Sequence, residues 1–185
     1  MQDSRFLRFS STLFELTKFA LIIVVAITAF IIFVGKPLPV SGDSMLPNFR
    51  NGEIVIVEQI SFSGNKMIKR GDVVAAKFPA DPDKTKLIKR VIGLPGEKIE
   101  IKDTHIFVNG SPLNESYQPR YGDAPYQEIS SVTLKDGEYF LAGDNRPGSS
   151  DSRLWGPVTR NDILGRVSFV IFPPSDAEYV SRPSD

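Results

Sequence analysis

The amino-acid sequence predicts a mainly β protein, in which an N-terminal transmembrane helix precedes an antiparallel β-sheet or barrel-like domain. Two features of the 185-residue sequence support this prediction. The run Phe19–Val34 is apolar except for the mildly polar Thr28. After Pro39 the apolar segments are short, rich in Val, Ile and Phe, and separated by turn-forming residues, a pattern typical of sandwiches and barrels.

The apolar run is long enough to cross a bilayer. A membrane-spanning helix needs about 20 residues, with a lower limit near 17, and this length is reached if Lys18 snorkels toward the lipid headgroups. A cleaved signal peptide is one alternative, but its apolar core spans roughly 7–15 residues and "AITAF" is a poor cleavage site. A buried core helix is another, but the run has no polar face. We therefore expect an uncleaved anchor over residues 19–35.

Positive charges predict the orientation of this anchor. Arg5, Arg8 and Lys18 precede the apolar run, and only Lys36 follows it closely. The positive-inside rule then places residues 1–18 in the cytoplasm and the rest of the chain outside it. We expect a single-pass protein of the cell (plasma) membrane, although a thylakoid or another organelle membrane of bacterial descent would give the same pattern.

Residues 36–173 are expected to form the extracytoplasmic β-rich domain, because their apolar segments have the length and composition of strands. The Asn-Gly pair in "VNGSP" predicts a tight hairpin, and "DT" between "KIEIK" and "HIFV" predicts another. Residues 113–131 carry few strand signals and several turn formers, so we expect a long surface excursion there. Residues 174–185 form a tail that we expect to be poorly ordered.

The composition excludes several kinds of site. Lysine plus arginine and aspartate plus glutamate both number 22, so the formal net charge is zero and nothing indicates a nucleic-acid partner. The absence of cysteine removes disulfides, thiol nucleophiles and thiolate metal sites. The one histidine, His105, excludes a multi-histidine metal site. We expect neither a metal nor a cofactor.

A serine in the stretch "VSGDSMLPNF" is the first candidate for chemistry. Ser44 is bracketed by Gly42, Asp43 and Met45, with Pro47 close behind. Such a turn is either an ordinary surface loop or a support that holds a nucleophile where a substrate can reach it. Since a serine hydroxyl is a weak nucleophile on its own, the second interpretation requires a base beside it.

Two residues could act as that base. His105 lies in a predicted strand beside a hairpin, where a lone histidine is more often a surface residue. Lys89 lies in "KLIKRVIG", where alternation along a strand places it on one face with Leu87 and Val91. Burying a charged ammonium is costly, so a lysine there tends to lose its proton. The alternative is an edge strand that carries an exposed lysine.

The polar stretch "GDNRPGSSDSR", from Gly143 to Arg153, follows a predicted strand and is either a solvated loop or a support for a site. Two charge pairs could brace it, Asp144 with Arg146 and Asp151 with Arg153. Either Ser149 or Ser152 could then hydrogen-bond a neutral lysine amine and orient it.

Taken together, these stretches resemble the type I signal peptidases, also called leader peptidases. The chain carries "SGDSMLPNF", "RGDVVAAKF", "KRVIGLPGE" and "GDNRPGSSDSR" in the family's order, after an apolar N-terminal segment. The resemblance implies that the β-rich domain is a serine protease domain that works by a Ser-Lys dyad. It implies that Ser44 is the nucleophile, Lys89 the general base and Ser149 the residue that positions the lysine. It further implies that the site is braced by Asp151, Arg153, Asp144 and Arg146.

The resemblance also implies the substrate. It would be a preprotein in the same lipid bilayer, with small residues at the third and first positions before the cut. Shallow pockets for those residues would be lined by Leu38, Val40, Leu87 and Ile88. The oxyanion would be bound at the nucleophile turn formed by Gly42, Asp43 and Ser44.

Three positions depart from the family pattern, the mildest being Glu97 in "GLPGE", where aspartate is common. Some members carry a serine at the position of Gly42, so the oxyanion must here be bound by backbone N–H groups, chiefly that of Ser44. Asn48 stands where threonine is usual, and we expect only the local hydrogen bonding of the turn to change.

Three other interpretations stay open from the sequence. The self-cleaving repressors also use a serine–lysine dyad on a β domain, but they carry a DNA-binding region and no anchor. A specialised processing protease with one dedicated substrate would show the same residues. An anchored β module that binds a partner without cutting it would explain the anchor and strands but not the four sequence blocks.

Overall fold

A computed structural model describes residues 2–33, 35–62, 67–79, 81–82, 85–122 and 130–182, and within the N-terminal helix the side chains of residues 10–29. The chain divides into two units, Met1–Lys36 and Pro37–Asp185. The first unit is dominated by one helix and the second by β-strands. The mainly β class predicted from the sequence is confirmed.

Helix α1 (Gln2–Phe33) forms most of the first unit. Its sequence contains neither glycine nor proline, so nothing in it interrupts the ladder of backbone hydrogen bonds. Its segment Ser10–Ala29 is long and apolar enough to cross a membrane, with a mean hydropathy of 1.9 and no part of it buried. The helix begins well before the predicted anchor, so it includes most of the residues expected in the cytoplasm. Where the membrane begins and ends along it stays a prediction.

The strands of the described residues lie in two sheets. In chain order the strands are β1 (Lys36–Pro39), β2 (Ile54–Glu58), β3 (Val73–Lys77), β4 (Lys86–Gly93), β5 (Lys98–Lys102), β6 (His105–Val108), β7 (Ser111–Pro112), β8 (Ser131–Thr133), β9 (Glu138–Ala142), β10 (Val158–Thr159), β11 (Ile163–Phe172) and β12 (Glu178–Tyr179). The larger sheet has the order β1-β2-β11-β3-β4-β9-β10, with β12 also paired to β11. The smaller sheet has the order β7-β6-β5-β8.

Antiparallel pairing joins the strands from β2 to β10 in the larger sheet. The core comprises three clusters of buried apolar side chains. One of them joins β2, β3 and β11 to residues just before and after Ser44, including Val40, Met45 and Phe49. The turn that carries the candidate nucleophile is therefore fixed to the core on both sides.

The smaller sheet contains both hairpins predicted from the sequence. β6 and β7 are joined by Asn109 and Gly110, whose φ angles of 52° and 82° suit the tight turn that an Asn-Gly pair favours. β5 and β6 are joined by Asp103 and Thr104, and Lys102 pairs with His105 across that turn. Both predictions are confirmed.

The tail is ordered as far as the structure describes it, so the expectation of poor order is wrong for residues 174–182. β12 pairs with β11, and the Val180 N–H donates to the Ser168 carbonyl at 2.9 Å. Beyond it, the Arg182 guanidinium lies 2.8 Å from the buried carboxylate of Asp72. These contacts were not predictable from local sequence, because their partner residues lie far apart along the chain.

The predicted surface excursion is packed in its first half. Residues 113–122, which we call the strap, carry the buried carboxylate of Glu115 and contact the loop after β9. Five of the ten strap residues are exposed and the others are half-buried, so the strap lies at the surface as expected, although the Glu115 side chain anchors it to that loop. Residues 123–129 lie outside the described part of the chain.

Candidate active site

Ser44 lies in a compact turn between β1 and β2. Gly42 adopts a φ of 79°, a left-handed conformation that glycine takes without strain. The Gly42 N–H donates to Asn51 Oδ1 at 3.0 Å, and the Leu46 N–H donates to the Asp43 carbonyl at 3.2 Å. Ser44 itself is half-buried, so its hydroxyl lies on a fixed turn at the edge of the core.

Lys89 lies in β4, directly opposite Val74 of β3. Its side chain is 2% exposed, and its Nζ donates to Ser44 Oγ at 2.7 Å. Burial lowers the pKa of Lys89 to about 8, although the charge of Asp151 acts in the opposite direction. At that pKa roughly half of the amines are neutral at pH 8, whereas a free lysine with a pKa near 10.4 stays almost fully charged.

The predicted pair of Asp151 and Arg153 is present. The Arg153 Nε and Nη2 donate to the two Asp151 carboxylate oxygens, both at 2.7 Å, and both side chains are buried. Asp151 also caps the short helix α2 (Ser152–Trp155). The same carboxylate accepts the Gly143 N–H at 2.9 Å, so it ties the two ends of the loop Gly143–Arg153 together.

The other predicted pair, Asp144 with Arg146, is wrong. Asp144 is fully buried, and its two carboxylate oxygens accept hydrogen bonds from Arg90 Nε at 2.8 Å and Arg90 Nη2 at 2.6 Å. Arg146 instead directs its guanidinium to the Glu115 carboxylate in the strap. Its Nε is held by the Gly143 carbonyl, so the side chain points away from Asp144. Buried charges need close, paired partners, and β4 and the strap supply them.

Asn48 makes long-range hydrogen bonds and not only local ones, which corrects the expectation for this position. Its amide donates to Asp144 Oδ2 at 2.9 Å and to the Tyr117 carbonyl at 3.0 Å. Asn48 therefore links the turn of the candidate nucleophile to the loop after β9 and to the strap.

Gly143 lies where a side chain cannot fit. A Cβ on this residue would lie 2.3 Å from Ser149 Oγ and 2.4 Å from the Ser44 carbonyl oxygen. The Ser149 hydroxyl is thus adjacent to the turn of Ser44. It is buried and makes no hydrogen bond to any other described residue, so a role in orienting Lys89 stays a prediction.

The residues predicted to line the substrate pockets divide into two pairs. Val40 and Ile88 are almost fully buried in the core cluster that also contains Met45. Leu38 lies in β1, close in sequence to the nucleophile turn, and Leu87 lies in β4. Both are partly exposed. A role in substrate binding is untested for all four.

His105 lies on β6, where it is exposed and stacks on the Tyr121 ring at 5.2 Å. This position agrees with the surface residue expected from the sequence. Within the described part of the chain, no group of three or more His, Cys, Asp or Glu side chains is placed to hold a metal ion.

Sequence reasoning missed two charged residues of the site. Arg90 follows Lys89 directly, and a second buried cation in that strand was a sign that a buried carboxylate lay nearby. Glu115 gave no such sign, because it stands in a segment without strand or helix periodicity.

The geometry defines a class of protein. A β domain that places a serine hydroxyl against a buried lysine of lowered pKa fits a serine hydrolase that uses a lysine in place of a histidine.

Comparisons with known proteins define the family. Residues 13–172 match the family described as signal peptidase, peptidase S26. The chain is 33% identical over 150 residues to the probable signal peptidase I-1 of Synechocystis sp., covering 77% of this chain and 74% of that protein. It is 32% identical over 189 residues to signal peptidase IB of Staphylococcus aureus, covering 92% and 97%. A crystal structure of a signal peptidase I from Enterococcus faecalis is 31% identical, with a TM-score of 0.48, over 57% of this chain and 100% of that one.

The chain therefore belongs to the signal peptidase family, peptidase S26, and is a hydrolase of the serine protease type.

Proposed function

We propose that this protein removes N-terminal signal peptides from exported preproteins, with Ser44 as the nucleophile and Lys89 as the general base. The observation that carries the proposal is the 2.7 Å hydrogen bond from the buried Lys89 Nζ to Ser44 Oγ. A general base must lie within hydrogen-bond reach of the proton it takes and titrate near the working pH. Lys89 meets both requirements, since burial lowers its pKa to about 8.

In the proposed reaction, neutral Lys89 accepts the Ser44 proton while Ser44 Oγ attacks the scissile carbonyl carbon. Lys89 then passes that proton to the leaving amine, and the peptide bond breaks to leave an acyl-enzyme. Lys89 next takes a proton from water, whose oxygen attacks the ester. Collapse of that intermediate releases the signal peptide and returns the proton to Ser44 Oγ.

The backbone N–H of Ser44 is the proposed donor to the oxyanion. Gly42 has no side chain to contribute, and its own N–H is held by Asn51 Oδ1. Among the described residues, no hydrogen-bond acceptor is seen for the Ser44 N–H. Removing one oxyanion donor costs about 3–4 kcal/mol in comparable sites, so the position of this N–H matters to the rate.

The charged residues of the loop after β9 are proposed to hold the dyad and not to react. Asp151, which is held by Arg153, accepts the Gly143 N–H, and Arg90 holds Asp144. Ser149, whose buried hydroxyl lacks another partner among the described residues, is proposed to orient the Lys89 amine in the complex with substrate.

The proposed substrate presents small residues at the third and first positions before the cut. It would bind in extended form beside β1, which precedes the Ser44 turn, and β4, which carries Lys89. Leu38, Val40, Leu87 and Ile88 lie in or next to β1 and β4, and they are proposed to line shallow pockets that admit only small side chains. The segment Ser10–Ala29 is proposed as the anchor in the lipid bilayer, with the N-terminus in the cytoplasm and the β domain on the extracytoplasmic side of the plasma membrane.

Cleavage of a preprotein with an alanine-x-alanine site by the purified protein in detergent tests the proposal. We expect the wild type to cut after the second alanine, and Ser44→Ala and Lys89→Ala to be inactive while unfolding cooperatively. Residual cutting by Ser44→Ala would refute the dyad. Binding without cutting by the wild type would favour the partner-binding module instead.

A further inference from the structure

The strap, residues 113–122, is hydrogen-bonded to the loop that supports the dyad. The Arg120 N–H donates to the Asp144 carbonyl at 2.8 Å, and the Arg146 N–H donates to the Arg120 carbonyl at 2.9 Å. The Tyr117 ring lies 3.9 Å beneath the Arg90 guanidinium, which is bound to Asp144. The strap therefore packs against the ion pair of Arg90 with Asp144 and against the backbone of the loop after β9.

Glu115 is the charged centre of this contact. Its side chain is 4% exposed, and its carboxylate pairs with the fully buried Arg146 guanidinium. The Tyr117 and Tyr121 hydroxyls donate to the same carboxylate. Burial, together with the Glu115 charge, raises the pKa of Tyr117, so its hydroxyl stays a donor. Glu115 accepts from each of the other three groups, and Arg146 Nη2 also donates to the Tyr117 hydroxyl at 3.4 Å. Tyr121 is the exposed member of this network.

Arg146 links this network to the reacting groups. Its Nη atoms bind Glu115, and its Nε donates to the Gly143 carbonyl at 3.0 Å. The Gly143 N–H is held by Asp151, so both polar groups of this residue are fixed by buried charge. The Cα of Gly143 in turn faces the Ser44 carbonyl oxygen and Ser149 Oγ, with no space between.

We propose that Glu115 is a positioning residue, which acts through Arg146 and Gly143 to fix the Ser44 turn and the Ser149 hydroxyl against Lys89. This inference rests on the proposed Ser44–Lys89 dyad and adds a residue from outside the four sequence blocks. Glu115 touches neither substrate nor the reacting atoms. Without its charge, the Arg146 guanidinium turns toward other partners and the Gly143 carbonyl loses its donor.

The test compares kcat and KM of Glu115→Gln and wild type on a soluble signal-peptide substrate, at a temperature well below both unfolding midpoints. A small displacement of catalytic groups costs up to about 100-fold in rate, so we expect kcat to fall by roughly 10- to 100-fold with KM changed less than about twofold. Tyr121→Phe, which removes one donor to the carboxylate, is expected to lower kcat by only a few fold. Glu178→Gln, at an exposed position on β12, is the matched control and should behave as wild type.

A double variant separates positioning from stability. Glu115→Gln with Arg146→Met removes both buried charges, which usually restores stability. The Gly143 carbonyl still lacks its donor, so we expect the unfolding midpoint to recover and kcat to stay low. Joint recovery of kcat and stability would mean a merely structural role for Glu115. If Glu115→Gln does not fold, the double variant and Tyr121→Phe decide the question alone.

The outcomes also distinguish this inference from the proposed function. If Ser44→Ala is inactive and Glu115→Gln keeps kcat within twofold of wild type, the positioning role is overturned and the dyad stands. If Ser44→Ala still cleaves the peptide, the dyad falls, and the positioning role falls with it.

Discussion

At the scale of single residues, the site depends on placing an amine where its charge is unfavourable. Lys89 is buried, and the nearby carboxylates of Asp151 and Asp144 are each occupied by an arginine. Burial therefore dominates and lowers the pKa of the amine to about 8. The arginine charges offset the negative charges of these carboxylates, which would otherwise favour the protonated form of Lys89.

The first prediction concerns pH. Only neutral Lys89 can take the Ser44 proton, so kcat/KM should rise about tenfold per pH unit below the apparent pKa of the dyad and level off above it. With a pKa of about 8 for Lys89, the midpoint of the rise should lie near pH 8. Initial rates on a soluble peptide between pH 6 and 10 would show this midpoint, and a flat profile between pH 6 and 9 would contradict the assignment.

The second prediction concerns stability. The folded-state pKa of Lys89 is lower than its unfolded value of 10.5, so the unfolded chain binds more protons between about pH 8 and 10.5 and stability rises across that range. Below pH 8 the full cost of burying the charge is present. Lys89→Met should therefore abolish activity and yet raise the free energy of unfolding at pH 7 by about 1–3 kcal/mol.

Urea unfolding in detergent at pH 7 and pH 10 measures this difference, which should shrink at the higher pH. Lys98→Met is the control, since Lys98 is half exposed and should change stability little. A Lys89→Met protein that is less stable than wild type at pH 7 would show that the buried amine does not oppose folding.

At the scale of structural elements, the loop after β9 and the nucleophile turn pack directly against each other. The Asn145 N–H donates to the Ser44 carbonyl at 3.0 Å, and the Asn145 side chain donates to the Asp43 carbonyl at 3.0 Å. The approach is this close because Gly143 has no Cβ. The geometry of the dyad thus depends on two elements that are distant in sequence.

Gly143→Ala tests this close approach. The new methyl group would lie under 2.5 Å from Ser149 Oγ and the Ser44 carbonyl oxygen, so the backbone must shift. We expect kcat to fall by about 100-fold and the free energy of unfolding to fall by about 1–3 kcal/mol. Steady-state kinetics and thermal unfolding measure both, with the exposed Ser150→Ala in the same loop as the control. Wild-type kcat in Gly143→Ala would show that the loop does not set the position of the turn.

The sequence predicts those parts of this arrangement that depend on local pattern. The Asn-Gly hairpin follows from the backbone preference of its two turn residues. Strand alternation left the burial of Lys89 open, because β4 is buried on both faces from Ile88 to Gly93. The Asp151–Arg153 pair is also local, because the two residues flank the start of α2. The resemblance to a known family supplied the roles of these residues, which local pattern alone left open.

The pairing of the other charges could not be predicted in the same way. Asp144 and Arg146 are two positions apart, which suggested a pair, but each had a geometrically better partner elsewhere. Arg90 reaches Asp144 across the β4–β9 pairing, and Glu115 comes from a segment without periodicity. Such partners depend on the tertiary packing of distant segments, and a single sequence does not reveal it.

At the scale of the whole molecule, the apolar segment and the β domain have separate proposed tasks. Ser10–Ala29 has the length and hydropathy of a membrane span, whereas the dyad and its braces lie in the unit Pro37–Asp185. If the span holds the enzyme in the bilayer that holds the substrate, the tether raises the effective concentration of each for the other.

Removing residues 1–36 tests that effect. We expect the shortened protein to keep most of its kcat/KM on a short soluble peptide, and to lose at least about tenfold more activity on a preprotein embedded in lipid vesicles. Parallel assays on the two substrates, in the same vesicle preparation, give the comparison. An equal loss on both substrates would show that the segment contributes to the fold of the domain and not to encounter with the substrate.

The position of β11 in the larger sheet has a consequence for the timing of synthesis. β11 lies between β2 and β3, and contacts such as Arg166 to Glu58 join residues 108 positions apart. Sheets built from such distant pairings fold slowly, because the long loop must close before the contacts form. β11 follows every other strand of the larger sheet except β12 in the chain, so a nascent chain already carries Ser44 and Lys89 while the sheet is still open. A newly made copy should therefore be unable to cut until β11 has been released from the ribosome.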